Sequence, residues 1–127
     1  MTQWDGLSSQ PYLNLETFRK NGAGVKTPVW FVQDGDHLYV RTIAGAGKVK
    51  RIHRRGEVQV APCKVNGDLL GGWIPAQARE VMDEDIHQKV DRLLDQKYGL
   101  QKKLFGLAAS LRGRSYTVLE LTAREEK

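Results

Sequence analysis

LYVRTIAGAGKVKRIHRR, residues 38–55, changes character twice within itself. It begins as a short apolar strand, opens into a small-residue loop at Ala44–Gly47, and continues as a basic segment with one or two turns of helical periodicity. Arg41, Lys48, Lys50, Arg51, Arg54 and Arg55 lie in it, and no acid does. The chain carries 20 Lys and Arg against 15 Asp and Glu; without these six, 14 cations face 15 acids and the net charge falls from +5 to −1. The basic excess is therefore local. A local excess beside a glycine-containing turn points to an anionic ligand, because a glycine loop entering a helix N-terminus offers both cations and free amides.

Outward from this stretch the chain punctuates itself regularly. PYLNLETFRK reads as a strand, and Asn21-Gly22-Ala23-Gly24 as a hairpin turn. VKTPVWFVQ, rich in β-branched and aromatic residues, reads as the next strand. Pro28 in its middle places that strand at an edge, a bulge or a spot approached by something other than a strand. Asp34-Gly35-Asp36 turns the chain into the strand at His37–Thr42. Past the basic helix, Glu57–Val65 and Ala76–Met82 read as strands separated by Asn66-Gly67-Asp68, with Gly71, Gly72 and Pro75 interrupting. Short strands with turn signals at near-regular spacing predict an antiparallel sheet closed toward a barrel.

The period changes at Asp83. Ile86, Val90, Leu93 and Leu94 form one helical stripe with acids in the first turn, and Gly99 stops it. A second helix is expected over Gln101–Leu111, so residues 83–111 read as a helical pair covering the barrel or a dimer seam. SYTVLELT is a final strand. Residues 1–10 read as a loose leader anchored by Trp4, and the whole of 1–127 as a single α+β domain, mainly β.

Composition narrows the function class. A hydrophobic fraction of 40% and a charged fraction of 28% are those of an ordinary globular protein. No apolar run reaches the length of a membrane span, and MTQWDGLSSQ lacks signal-peptide character, so the expectation is a cytoplasmic protein without membrane contact. A single cysteine, Cys63, excludes an internal disulfide and a cysteine metal cluster. Ten aromatics, scattered, make a poor base-stacking platform, and cations gathered on one element argue against nucleic acid. His37, His53 and His87 lack metal-ligand spacing, and no nucleophile motif is present.

The strand ending Thr27-Pro28-Val29-Trp30-Phe31, the strand Leu38-Tyr39-Val40-Arg41-Thr42, the Gly-x-Gly-Lys-Val-Lys-Arg-Ile loop-to-helix and then Val58–Cys63 resemble, in this order and spacing, the pyridoxamine 5′-phosphate oxidase-like split β-barrel superfamily. Within it the chain is similar to the small, single-domain, deazaflavin-dependent branch, over about Tyr12–Leu121. The resemblance implies a split antiparallel β-barrel of the FMN-binding type and a homodimer with its cofactor in a groove at the subunit interface. It implies that Arg41, Thr42 and the run Gly47, Lys48, Lys50, Arg51 meet the cofactor phosphate. Pro28, Val29 and Trp30 would line its ring. Two departures qualify it. The Trp-x-x-Arg segment through which pyridoxamine phosphate oxidases hold substrate is not found in SYTVLELTAREEK, so vitamin B6 oxidation is not expected. Residues 27–31 also lack the arginine that many FMN members carry, which leaves the cofactor open.

Among the basic residues, helical spacing puts Lys48 and Arg51 on one side and Lys50 and Arg54 on another, so one phosphate cannot meet them all. Lys48 and Arg51, with Arg41 and Thr42, are the expected anion ligands; Arg54 and Arg55 are expected in solvent. Trp30 and Trp73 read equally as ring walls or as core and interface residues, with Trp73 a candidate to close the groove from a partner subunit. No catalytic residue is nominated, because hydride chemistry belongs to the cofactor. The resulting expectation is an oxidoreductase using the deazaflavin coenzyme F420 to transfer hydride to a small conjugated or heterocyclic acceptor. An FMN-dependent reductase or oxidase of the same fold is the first alternative. A non-catalytic flavin carrier or a small nucleic-acid-binding barrel is the second.

Overall fold

The computed structural model describes Trp4, Gly6, Leu7, residues 9–99 and residues 115–124. Among the described residues, seven strands and two helices follow one another as β1 (Tyr12–Phe18), β2 (Gly24–Val29), β3 (Val32–Asp34), β4 (His37–Ile43), α1 (Gly47–Arg54), β5 (Glu57–Cys63), β6 (Ile74–Val81), α2 (Glu84–Tyr98) and β7 (Tyr116–Ala123). The second helix expected over 101–111 lies outside the described residues.

All strands form one antiparallel sheet in the order β2-β1-β5-β6-β7-β4-β3. The two edge strands, β2 and β3, are consecutive in the chain with only Trp30 and Phe31 between them. A flat sheet of this order would hold its edges roughly 29 Å apart at ordinary strand spacing. The link from Val29 to Val32 spans at most about 10 Å. The sheet must therefore curl until its edges meet at this corner. They do not zip up: β3 pairs only with His37, Leu38 and Tyr39, which leaves Val40–Ile43 of β4 unpaired on that side, while β2 pairs only with β1. The result is an antiparallel barrel with an open seam, as expected.

The strand expected over Val25–Gln33 is thus two strands with a corner. The cause lies in α2. The Phe31 amide donates to the Tyr98 hydroxyl at 3.0 Å, and the Phe31 carbonyl accepts from Lys97 Nζ at 2.9 Å. Both backbone groups that would have continued the ladder are engaged by the helix. Pro75, expected to interrupt, instead lies within β6 opposite Gln59, at the end of the β6–β7 ladder, where its carbonyl still accepts from the Arg124 amide at 3.0 Å.

Strand alternation sorts the side chains. Leu13 and Leu15, Leu38 and Val40, Val58 and Val60, Ala76 and Ala78, Leu119 and Leu121 fill the interior. Val49 and Ile52 of α1 plug one end, and Trp4 closes the other, its indole donating to the Asp36 carbonyl at 2.8 Å. The opposite face of β3, β4 and β7 presents Val32, Tyr39 and Val118 to the α2 residues Val90, Leu94 and Tyr98. α2 starts where the Asp83 carboxylate accepts from the Asp85 and Ile86 amides and ends at Gly99, whose φ of 54° suits glycine.

Candidate functional site

The seam opens into a cleft of about 400 Å³. One wall is the unpaired edge of β2 and its corner, Pro28, Val29 and Trp30; the facing wall is the unpaired edge of β4, Arg41, Thr42 and Ile43. Tyr12, Leu94 and Tyr116 complete a largely apolar lining. Pro28 sits where a strand edge faces a cavity, a place that asks for no ladder donor. Trp30 lies flat on Tyr98, centroids 4.2 Å apart and planes 6° apart, which sets the ring at the cleft's closed corner.

Arg41 and Thr42 are neighbours on β4 and therefore point to opposite faces. Arg41 turns outward, pairs with Asp91 of α2 at 2.8 Å and lies 4.4 Å from the Tyr116 ring centroid. Thr42 turns inward, is 9% exposed, and its Oγ accepts from Lys48 Nζ at 3.3 Å. Strand alternation thus separates Arg41 from the group formed by Thr42, Lys48 and Arg51. The Arg51 Nε donates to the hydroxyl of Thr17, itself 1% exposed, at 2.6 Å. Gly47 allows this: a Cβ there would stand 2.8 Å from the Arg51 guanidinium.

Burial lowers the pKa of Lys48, and the nearby Arg51 charge lowers it further. Burial also lowers that of Arg51, with Arg19 and Arg54 adding to the effect. Elsewhere Arg41, Arg55, Arg79, Lys89 and Arg124 each find a carboxylate. Among the described residues, Lys48 and Arg51 form no ion pair. Two half-buried cations without a counterion among the described residues, beside the start of α1 where Ala46 provides no side-chain cap, make a candidate anion site. Lys50 is exposed on another side of α1 and does not join them.

Four contributors escaped sequence reading. Tyr12 and Tyr116 reach the cleft through sheet order, since β7 pairs with β4 and sets Tyr116 opposite Ile43. Leu94 reads only as core from its helical stripe, and Thr17 only as a strand residue. Trp73 lies outside the cleft lining, beneath Lys26 Nζ at 5.4 Å. Cys63 is buried, and burial pushes its thiol pKa up. None of His37, His53 and His87 lines the cleft, and the described residues hold no cluster of three or more metal-ligating side chains.

No family model and no curated protein matches the chain. Solved structures do. A candidate pyridoxamine 5′-phosphate oxidase from Listeria innocua aligns with TM-score 0.66 at 18% identity, over 94% of this chain and 88% of its own. The heme-storage protein HutZ from Vibrio cholerae aligns with TM-score 0.70 at 15% identity, over 92% and 84%. The fold is the pyridoxamine 5′-phosphate oxidase-like split barrel. An FAD-binding protein from Mesorhizobium loti shares this split barrel, with TM-score 0.60 at 15% identity over 94% and 83%. Split barrels thus include proteins named for an oxidase activity, for heme storage and for FAD, so the architecture alone does not choose a ligand. The residues of the cleft must.

Proposed function

We propose that the chain binds a flavin-type cofactor with its ring in the seam cleft and its anionic tail at Lys48 and Arg51, and acts with it as an oxidoreductase. The observation that carries this reading is the adjacency of an apolar slot between two unpaired strand edges and a pair of half-buried cations lacking a counterion. Thr42 belongs to both: it lines the slot and receives Lys48. A ligand with an apolar ring at one end and an anion at the other is what such a site accommodates.

When bound, a ring of this kind supplies two-electron hydride chemistry. The protein's part is position and environment. The open edge at Val29 offers backbone groups to the ring's polar margin, and Trp30, Tyr12 and Tyr116 supply walls that keep water out. Lys48 and Arg51 fix the tail and so the ring's depth in the slot. The Arg41–Asp91 pair, braced on Tyr116, keeps the β4 wall in place against α2. We take the deazaflavin coenzyme F420 as the preferred ligand, a small conjugated or heterocyclic compound as hydride acceptor, and a homodimer as the working unit. FMN suits the same two cations with its single phosphate and is the second reading. Heme storage, the role named for HutZ, finds no imidazole ligand among the described lining residues.

Side-by-side titration of the purified protein with F420 and FMN, followed by visible absorption and tryptophan quenching at Trp30, tests the proposal. Saturable binding of one, weakened on Lys48→Ala, is the expected result. Binding of neither ends it. Turnover of enones or quinones with saturating reduced cofactor then separates an enzyme from a carrier.

A further inference from the structure

Among the described residues that line the cleft, Arg41 alone carries a charge. It also borders a second cavity of about 450 Å³ on the α2 side, where Glu84, His87, Asp91 and Arg92 stand with it. Arg41 therefore marks the boundary between the apolar slot and a polar antechamber. Its guanidinium is held in two ways: Nη1 donates to Asp91 at 2.8 Å, and the Tyr116 ring centroid lies 4.4 Å away. Nε and Nη2, which form one edge of the guanidinium fork, have no hydrogen-bond partner among the described residues, and the side chain is still 21% exposed.

The cations that would take a cofactor tail meet Thr42 and Thr17 on the other face of β4, so this fork is left for a second molecule. The charges around it say which kind. Arg41 and Arg92 stand against Asp91 and Glu84, and the His87 Nε2 is engaged by the Val81 carbonyl at 2.5 Å. The corner is close to neutral at rest. It has little attraction for a full carboxylate and suits a neutral oxygen that gains charge only as it reacts. The carbonyl oxygen of an enone is such a group. A donor at the border of an apolar slot, already fixed in place by Asp91 and Tyr116, helps that oxygen most once the charge has developed.

We propose that Arg41 is a catalytic residue, whose Nε–Nη2 edge donates to the carbonyl oxygen of a conjugated acceptor and holds the negative charge that hydride transfer places there. Hydride from a reduced flavin-type ring forms a C–H bond at the β-carbon of the enone, and the ring is left oxidised by two electrons. The C=C electron pair shifts toward the oxygen, giving an enolate on Arg41, and a proton from water at the α-carbon completes the saturated ketone. The inference rests on the ring-in-cleft reading and deepens it by naming the group that activates the acceptor.

The test uses para-nitrophenol, whose yellow phenolate mimics the enolate oxygen. It is titrated across pH into wild type, Arg41→Gln, Arg41→Lys, Asp91→Asn and Lys48→Ala, and visible absorption reads how much of the bound probe is ionised. Wild type should bind the phenolate about tenfold more tightly than the phenol, and so turn yellow where the free probe is colourless. Arg41→Gln should abolish this preference, and Arg41→Lys, which keeps the charge without the fork, should keep only part of it. Asp91→Asn should keep or strengthen it, because the variant removes a neighbouring acid and spares the guanidinium. A purely structural Arg41 predicts equal losses in Asp91→Asn and Arg41→Gln, and that result would overturn the proposal. So would a preference lost in Lys48→Ala and kept in Arg41→Gln, which would put the phenolate at the tail site. With saturating reduced cofactor, kcat for an enone should fall about a hundredfold in Arg41→Gln while KM changes little. Binding of FMN or F420 without any phenolate preference removes the role of Arg41 and leaves the cleft reading intact; failure of both cofactors to bind wild type removes both.

Discussion

Lys48 and Arg51 matter because each has given up water without gaining a carboxylate among the described residues. That is unfavourable in the free protein and favourable once an anion arrives. Lys48→Ala or Arg51→Ala should each weaken cofactor binding by about 1–3 kcal/mol, the usual loss for a charge-assisted hydrogen bond. Lys50→Ala, from the exposed side of the same helix, should leave affinity unchanged, and equal losses at all three positions in a titration would contradict the site. The Lys48 contribution should also fade at alkaline pH sooner than that of an ordinary lysine, because burial and Arg51 lower its pKa. At this scale the sequence was informative about spacing: three residues apart on a helix puts Lys48 and Arg51 together, and the structure does so. It placed Arg41 with them as an anion ligand, whereas strand alternation turns Arg41 toward Asp91, an acid fifty positions away that spacing along the chain does not reveal.

Among the elements, α2 is the one that shapes the cleft. Its last turn binds the corner where the two sheet edges meet: the Tyr98 hydroxyl accepts from the Phe31 amide and donates to the Pro11 carbonyl at 2.9 Å, and its ring backs Trp30. Tyr98→Phe keeps the stacking and strands those backbone groups. It should cost about 1–3 kcal/mol in urea unfolding and loosen ring binding through Trp30, with little change at Lys48. Leu94→Ala removes a side chain shared by the α2 seam and the cleft wall, and a loss of about 2–5 kcal/mol is expected in the same assay. From sequence this helix read as packing alone. The stripe of Val90 and Leu94 showed that a face is buried, but no periodicity shows which backbone corner a hydroxyl at its end will reach.

For the whole molecule, the dependence of stability on pH follows from a few buried groups. The bond from Thr117, helped by His53, holds Glu80 below the ordinary carboxyl value of 4.5; for Glu120, burial alone would raise the pKa, but the bonds from Arg79 and Tyr39 outweigh it. Below 4.5 the unfolded chain takes up protons these sites resist, so their contribution is present above that pH and lost as pH falls through their lower folded values. Burial pushes Lys97 from 10.5 down to about 8. Between those values the unfolded chain holds a proton the folded chain has released, so stability rises with pH. Tyr39 and Tyr98, pushed from 10 up to about 12 mainly by burial, reverse the trend above 10, where unfolded tyrosines ionise first. Thermal melts across pH should therefore show a gain above pH 8 that Lys97→Met abolishes, followed by a fall; a flat profile through pH 8 would contradict the burial of that amine. By itself the sequence determined what local chemistry controls: alternating strands, turns at Asn-Gly and Asp-Gly, a capped amphipathic helix, and a basic helix after a small-residue loop. Only the tertiary structure decided which strands lie at the edges, that those edges meet at Trp30-Phe31 without closing, and which cations are left without an acid. Those facts depend on pairings between distant residues, and neither propensity nor spacing along the chain encodes who the partner will be.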